Sequence, residues 1–266
     1  MKHRAGNISV VTVALLLAGG CAGESEPDVG GGGGGDGSSD GTGSTGGDSG
    51  GTTGGSSDST GSGTTGLDPC DAIVAQWRGD GDTLDSVGDH DLIRPGGDQP
   101  VFVQGVDDMA FSLDGYYLEA PDALTLDVTE ITIHAWIRAT ALGGRILDKT
   151  SVDTTDGYLL DTHQGNLRLM AGSAHLWSTS TLPTDEWVWV AGTFDGSMLR
   201  VFIGGEADGE VAGQTVGQVN DLSLRVGAAS DGGGLFTGAI DELTLHSRAL
   251  SAEEIAALFA ADGLCR

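Results

Sequence analysis

The chain has 266 residues, of which 38% are hydrophobic and 5% aromatic, with 47 glycines and a formal net charge of -27 from 12 basic and 39 acidic side chains. A charge of that sign repels nucleic-acid phosphates and anionic head groups, which argues against a nucleic-acid partner. The glycines are clustered, so a large part of the chain cannot be core.

The first 20 residues carry Lys2, His3 and Arg4, an apolar run from Val10 to Leu17, and then Ala18, Gly19 and Gly20. This order of charge, apolar stretch and small residues reads as a secretory signal over 1–20. The run is shorter than the ~20 residues of a membrane-spanning helix. The small residues directly before Cys21 resemble the lipobox of bacterial lipoproteins. The resemblance implies a diacylglycerol on Cys21, a membrane partner reached through that lipid, and a bacterial cell-envelope location. One departure is Ala18, where lipoboxes usually have Leu; Leu17 lies one residue further back. Ala22, in a place where retention signals carry Asp, implies the outer membrane or cell surface.

Residues 21–66 form the expected tether. From Gly30 to Gly66 only Gly, Ser, Thr and Asp occur, a composition that cannot bury enough apolar surface to fold. A Gly/Ser coil from Cys21 to Cys70 spans roughly 35–40 Å, which lifts a domain clear of a lipid surface without fixing its orientation.

Residues 67–266 are long enough for one all-β domain. Cys70 and Cys265 bracket it, and two remaining cysteines in an exported chain are expected to be bridged. Ile131, Ile133, Ala135 and Ile137 alternate with Thr132, His134, Trp136 and Arg138, the period of a strand with two different faces. His134 then belongs to the mixed face as a structural side chain. Trp187 and Trp189 alternate with Val188 and Val190, and Asp195-Gly196 separates that run from Met198–Ile203, a hairpin signal. Further strands are expected over Tyr116–Glu119, Arg145–Lys149, Tyr158–His163, Asn166–Met170, Leu222–Val226 and Ala239–Ser247. After the last of these, Ser251 and Glu254 have capping-box spacing, and Ile255, Leu258 and Phe259 give a short helix one apolar stripe. Many short strands with Gly- and Asp-rich breaks predict an antiparallel β-sandwich, a jelly roll, with a short C-terminal helix.

Five stretches in order carry a resemblance: residues 111–119 (FSLDGYYLE), 131–137 (ITIHAWI), 186–196 (EWVWVAGTFDG), 238–242 (GAIDE) and 248–251 (RALS). Together they resemble the laminin-G-like jelly roll of the concanavalin A-like lectin/glucanase superfamily. The resemblance implies two stacked antiparallel sheets, and a fold more firmly than a function. It also implies a structural calcium that ties the N-terminal segment to an Asp in the last strand. On that basis Asp241 is one ligand candidate and Asp80, Asp82 or Asp85 the other. The loop from Gly79 to Asp91 is rich enough in carboxylates to wrap a hard cation, and equally suited to solvated Asp-Gly turns.

Retaining glycoside hydrolases of this fold supply two carboxylates, ~5–5.5 Å apart, from one strand as Glu-x-Asp-x-x-Glu. That run does not occur, and Asp241 and Glu242, being adjacent, point to opposite faces of a strand. The expectation is a non-catalytic domain that binds a carbohydrate or a surface protein. Tyr116 and Trp177 are the candidate ligand contacts, because sugar C–H faces stack on exposed rings. Trp136, Trp187 and Trp189 are assigned to the core. The alternative is a glycan-active enzyme, a hydrolase or polysaccharide lyase, with an unfamiliar site.

Overall fold

Period-2 alternation only becomes a fold when each strand finds neighbours that bury the same face. In the computed structural model, which describes residues 68–151, 155–213 and 219–265, fourteen strands do so. In chain order they are β1 Ile73–Trp77, β2 Phe102–Gln104, β3 Met109–Leu113, β4 Leu118–Ala120, β5 Ile131–Ala141, β6 Arg145–Lys149 and β7 Tyr158–His163. There follow β8 Asn166–Ala171, β9 Ala174–Thr181, β10 Val188–Phe194, β11 Met198–Ile203, β12 Glu206–Ala212, β13 Leu224–Val226 and β14 Thr237–His246. Helix α1, Ala252–Ala260, closes the domain.

The strands form two antiparallel sheets, the expected sandwich. An eight-stranded sheet runs β12-β11-β10-β5-β14-β3-β2, with β1 added on β14, and a six-stranded sheet runs β4-β13-β6-β7-β8-β9. Ile131, Ile133, Ala135 and Ile137 of β5 share one buried cluster with Leu147, Leu160 and Leu169 of the facing sheet. The sheets approach closely at Gly192, where a Cβ would lie 2.9 Å from Leu169 and 3.1 Å from Leu160. The Asp195-Gly196 hairpin joins β10 to β11 as expected. A second hairpin, between β7 and β8, turns on Gln164 and Gly165, both at positive φ, the demand of a two-residue type I′ turn.

β14 is buried on both faces, although its sequence suggests only one partly apolar face. The reason is positional. It pairs with β5 along one side, and on the other with β3 through Gly238–Ile240 and with β1 through Leu243–His246. The register shifts between Asp241 and Thr244, and Glu242 takes a positive φ of 49°. Asp241 and Glu242 therefore sit at the junction where β3 ends and β1 begins.

Helix α1 has the expected capping box: Ser251 N–H donates to Glu254 Oε2 at 2.7 Å and Glu254 N–H donates to Ser251 Oγ at 3.2 Å. Its Ile255 and Leu258 pack on Trp189, Ala191 and Phe202, on the eight-stranded face turned away from the sandwich interior. Trp136 and Trp189 belong to this outer cluster, in contact with Phe259. Trp187, assigned to the core from sequence, is half-buried on the same outer face. Outward phase puts all three there, because Ile137 and Val190 take the inward positions beside them. Cys70 and Cys265 form the expected disulfide, with Cα atoms 5.4 Å apart across a separation of 195 residues.

Candidate functional site

The outward face of the six-stranded sheet carries a network of paired charges. One row crosses all six strands through consecutive pairings: Glu119, Arg225, Asp148, Leu159, Met170 and His175. The next row carries Asp161, Arg168 and Trp177. Arg145 reaches both Asp148, at 3.1 Å, and Asp161, and Arg168 Nε donates to Asp161 at 3.0 Å. Arg225 pairs with Glu119 at 3.4 Å and stacks 4.5 Å from the Tyr117 ring centroid. Burial raises the pKa of Asp148 above the usual carboxylate value, opposed by the Thr150 hydrogen bonds and the Arg145 charge.

At the edge of this face stands Trp177, on β9, 41% exposed. His175 meets it edge-on at 4.7 Å between centroids, and His163 of β7 lies 6.3 Å away. Strand alternation puts Trp177 here: Leu176 and Ser178 point inward, so Trp177 must point out. The result is an exposed ring with a guanidinium–carboxylate pair one strand away.

Tyr116, the other sequence candidate, is at the opposite edge, just before β4. Its hydroxyl donates to Ser112 O at 2.5 Å and accepts from Val101 N–H at 2.9 Å, and Arg94 covers its ring at 3.8 Å. It lines a cleft of about 320 Å³ with Tyr117, Asp98 and Leu235. The structure thus does not bring Tyr116 and Trp177 together.

A third cluster lies around Asp241. Its Oδ2 accepts from Val106 N–H at 2.7 Å, an approach that requires Gly105, whose Cβ would come within 2.5 Å of that oxygen. Its Oδ1 is buried without a hydrogen-bond partner. Burial, reinforced by the Asp80 charge and opposed by the Val106 and Asp107 N–H groups, pushes the Asp241 carboxyl up to about 7. Burial and the neighbouring Asp241 push Glu242 to about 7 as well, against Arg78. Asp80 is also raised, by burial and by Asp108 and Asp107, while Met109 N–H opposes. Of the three N-terminal candidates, Asp80 is therefore the one drawn into the Asp241 cluster. Asp85 spends both oxygens on Gln76, Val87 and His90 N–H groups at 2.9–3.1 Å, and Asp82 caps Leu84 N–H at 3.1 Å. Sequence reasoning missed Asp107 and Asp108, in the β2–β3 turn, and Glu242, which takes a positive φ at the register shift of β14 and lies in the field of Asp241.

Among the described residues, no three His, Cys, Asp or Glu side chains form a ready-made metal set. Calcium completes six to eight oxygens with carbonyls and water as well as carboxylates, so an orphaned Asp241 oxygen amid mutually repelling carboxylates fits it by chemistry. Cys21 lies outside the described residues.

Comparison with known proteins follows the fold. A search among curated proteins found no match. Among solved structures, the chain is similar to domain 4 of AbnA, a GH43 extracellular arabinanase from Geobacillus stearothermophilus solved with arabinotriose. The two share 21% identity at a TM-score of 0.56, over 70% of this chain and 97% of that one. It is also similar to the binding domain of Paraclostridial Mosquitocidal Protein 1 (15% identity, TM-score 0.60, 73% of this chain and 53% of that one). The binding domain of botulinum neurotoxin DC in complex with SialylT gives 13% identity and a TM-score of 0.55, over 73% and 52%. This chain spans about half the length of the two toxin domains. A laminin-G family model, described as the concanavalin A-like lectin/glucanases superfamily, matches residues 113–256, more than half of the chain. From β3 to the C-terminal helix the protein therefore has that family's sequence pattern on that family's two-sheet frame, and it belongs to the concanavalin A-like lectin/glucanases superfamily.

Proposed function

We propose that this chain is a lipid-anchored cell-envelope protein whose jelly roll binds a glycan without cleaving it. The observation that carries the reading is Trp177: a large ring exposed on a rigid strand, flanked by His163 and His175, with Arg168 and Asp161 on the same face. A ring offers its face to sugar C–H groups while adjacent imidazoles, guanidinium and carboxylate take hydroxyls. Non-catalytic binding is supported by the state of the nearby carboxylates. Asp161 is held by two arginines and Asp148 by one, so the carboxylates on this face are engaged in ion pairs rather than presented as a free pair to a glycosidic bond. A calcium ion at Asp241, Asp80 and Glu242 has a structural role in this reading, holding β1, the β2–β3 turn and β14 together.

The arabinanase domain solved with arabinotriose makes arabino-oligosaccharides the first probes. The full chain is screened on a glycan array and, in parallel, for reducing ends released from the same glycans. The expected result is retention of at least one glycan class with no product, and a roughly tenfold or greater loss in Trp177→Ala at unchanged melting temperature. Product release, or retention indifferent to Trp177→Ala, overturns the reading.

A further inference from the structure

The eight-stranded sheet carries a second feature on its outward face, beyond the reach of α1. Trp187 precedes β10, Arg138 lies on β5, Ala239 pairs with Arg138 from β14, and Ser112 of β3 pairs with Ala239. Where α1 ends its cover, the small Ala239 leaves a cleft of about 240 Å³ whose walls include Ser112, Asp114, Arg138, Thr140 and Thr237. Ser112 and Thr237 are half-buried, and Asp114 and Thr140 are exposed.

Arg138 is the anomaly. In a chain of net charge -27, the other arginines of the described domain either pair with a carboxylate or, in Arg78, donate to Cys265 O and sit in the field of Asp80 and Glu242. The Arg138 guanidinium has neither an ion pair nor a hydrogen bond among the described residues. Its guanidinium is instead held 5.0 Å from the Trp187 ring centroid. That contact with the ring face restrains the guanidinium and leaves its N–H fork unfilled, an arrangement that suits bidentate capture of a carboxylate.

We propose that this cleft binds the carboxylate of an acidic sugar, a uronic-acid unit, with Arg138 as the carboxylate anchor. The domain's overall charge disfavours a bare anion, but its field is screened over a Debye length of ~8 Å at physiological salt, so local chemistry decides. A free carboxylate offers Arg138 one contact against that background repulsion. A uronate adds ring hydroxyls for Ser112 and Thr237, for Thr140, whose own hydroxyl donates to Thr237 O and can still accept, and one that donates to Asp114 of the same lining. Arg138 and Asp114 together then orient the ring, acid end to the guanidinium and hydroxyl end to the carboxylate. The inference is independent of the glycan reading at Trp177, which lies on the other sheet.

Calorimetric titration of the full chain with glucuronic acid, glucose and acetate tests it. Expected are a Kd for glucuronate of about 1 mM or tighter, and at least roughly tenfold weaker binding of glucose and of acetate. Arg138→Gln is expected to weaken glucuronate about ten- to hundredfold with an unchanged melting temperature. Arg138→Lys, which keeps the charge and loses the fork, falls between. Trp177→Ala leaves glucuronate binding intact. Equal binding of glucose and glucuronate, no detectable glucuronate binding, indifference to Arg138→Gln, or loss in Trp177→Ala would each overturn the proposal.

Discussion

The Nε2 atoms of His134 and His246 lie 3.2 Å apart in a layer closed to water, with the His134 ring 5.5 Å from that of Trp189. One imidazole donates and the other accepts, and burial disfavours the charged form of both. Burial lowers the His246 pKa to about 4, and burial with the His246 charge lowers that of His134 well below its ordinary value.

These depressed values set an acid limit on the fold. Between pH of about 6.5 and 4 the unfolded chain binds more protons than the folded one, so stability rises with pH across that window and is lost as pH falls through it. For His246 alone the loss by pH 4 is about 3 kcal/mol. Urea midpoints of wild type and of the His134→Gln/His246→Gln pair, compared at pH 7 and pH 4.5, isolate this contribution because all other groups are shared. A difference between the two proteins that stays constant with pH would refute it.

Asp241 makes the test of calcium direct. In chelator, Asp241→Asn removes one of the repelling buried charges and is expected to melt no lower than wild type. With millimolar-range calcium, wild type is expected to gain several degrees and Asp241→Asn to gain little. Equal calcium shifts in the two proteins, or none in wild type, would remove the cation from this site.

Lys149 is 1% exposed, and its Nζ donates to Asp122 at 2.7 Å, Asn220 O at 2.8 Å and Leu222 O at 3.0 Å, with Asp127 at 3.2 Å. It ties β6 to two loops from inside the sandwich. Lys149→Met leaves two carboxylates and two carbonyls without their cation, a loss of about 3–5 kcal/mol. In a domain of this size that is a drop of roughly 10 °C in melting temperature. A drop of only a degree or two would show that water replaces the ammonium.

Cys21 decides the anchor. Metabolic labelling with a radioactive fatty acid is expected to mark the wild-type chain in the membrane fraction. Cys21→Ser is expected to lose both label and membrane retention. A labelled or membrane-bound Cys21→Ser chain would contradict a lipid at this residue.

Where side-chain periodicity is local, the sequence was enough to read the elements. Ile131–Ile137, Tyr158–His163 and Met198–Ile203 alternate visibly, and the capping residues Ser251 and Glu254 announce α1, so strands and helix came out near their observed bounds. Strands whose alternation is broken by Gly, Asp or Gln were not legible. β12, Glu206–Ala212, is one, and β1, Ile73–Trp77, is another, with Gln76 buried on the outer face between the inward Ala75 and Trp77 and donating to Cys265 O. Trp177 could be named as a candidate exposed ring from its place in the sequence, but the two histidines beside it come from a different strand and from two residues back, and neither carries a signal alone.

The Asp241 cluster shows the same division. The local sequence dictated the chain's acidity and the two-faced strands of a sandwich, because each depends only on composition or on residues near one another. The decision that Asp80 rather than Asp85 joins Asp241, that Glu242 turns with it, and that Arg138 is the arginine without a carboxylate belonged to the tertiary structure. Those outcomes depend on which strand ends meet at the β14 junction and which side chains the sheet register sets side by side, and neither is a property of any single stretch of chain.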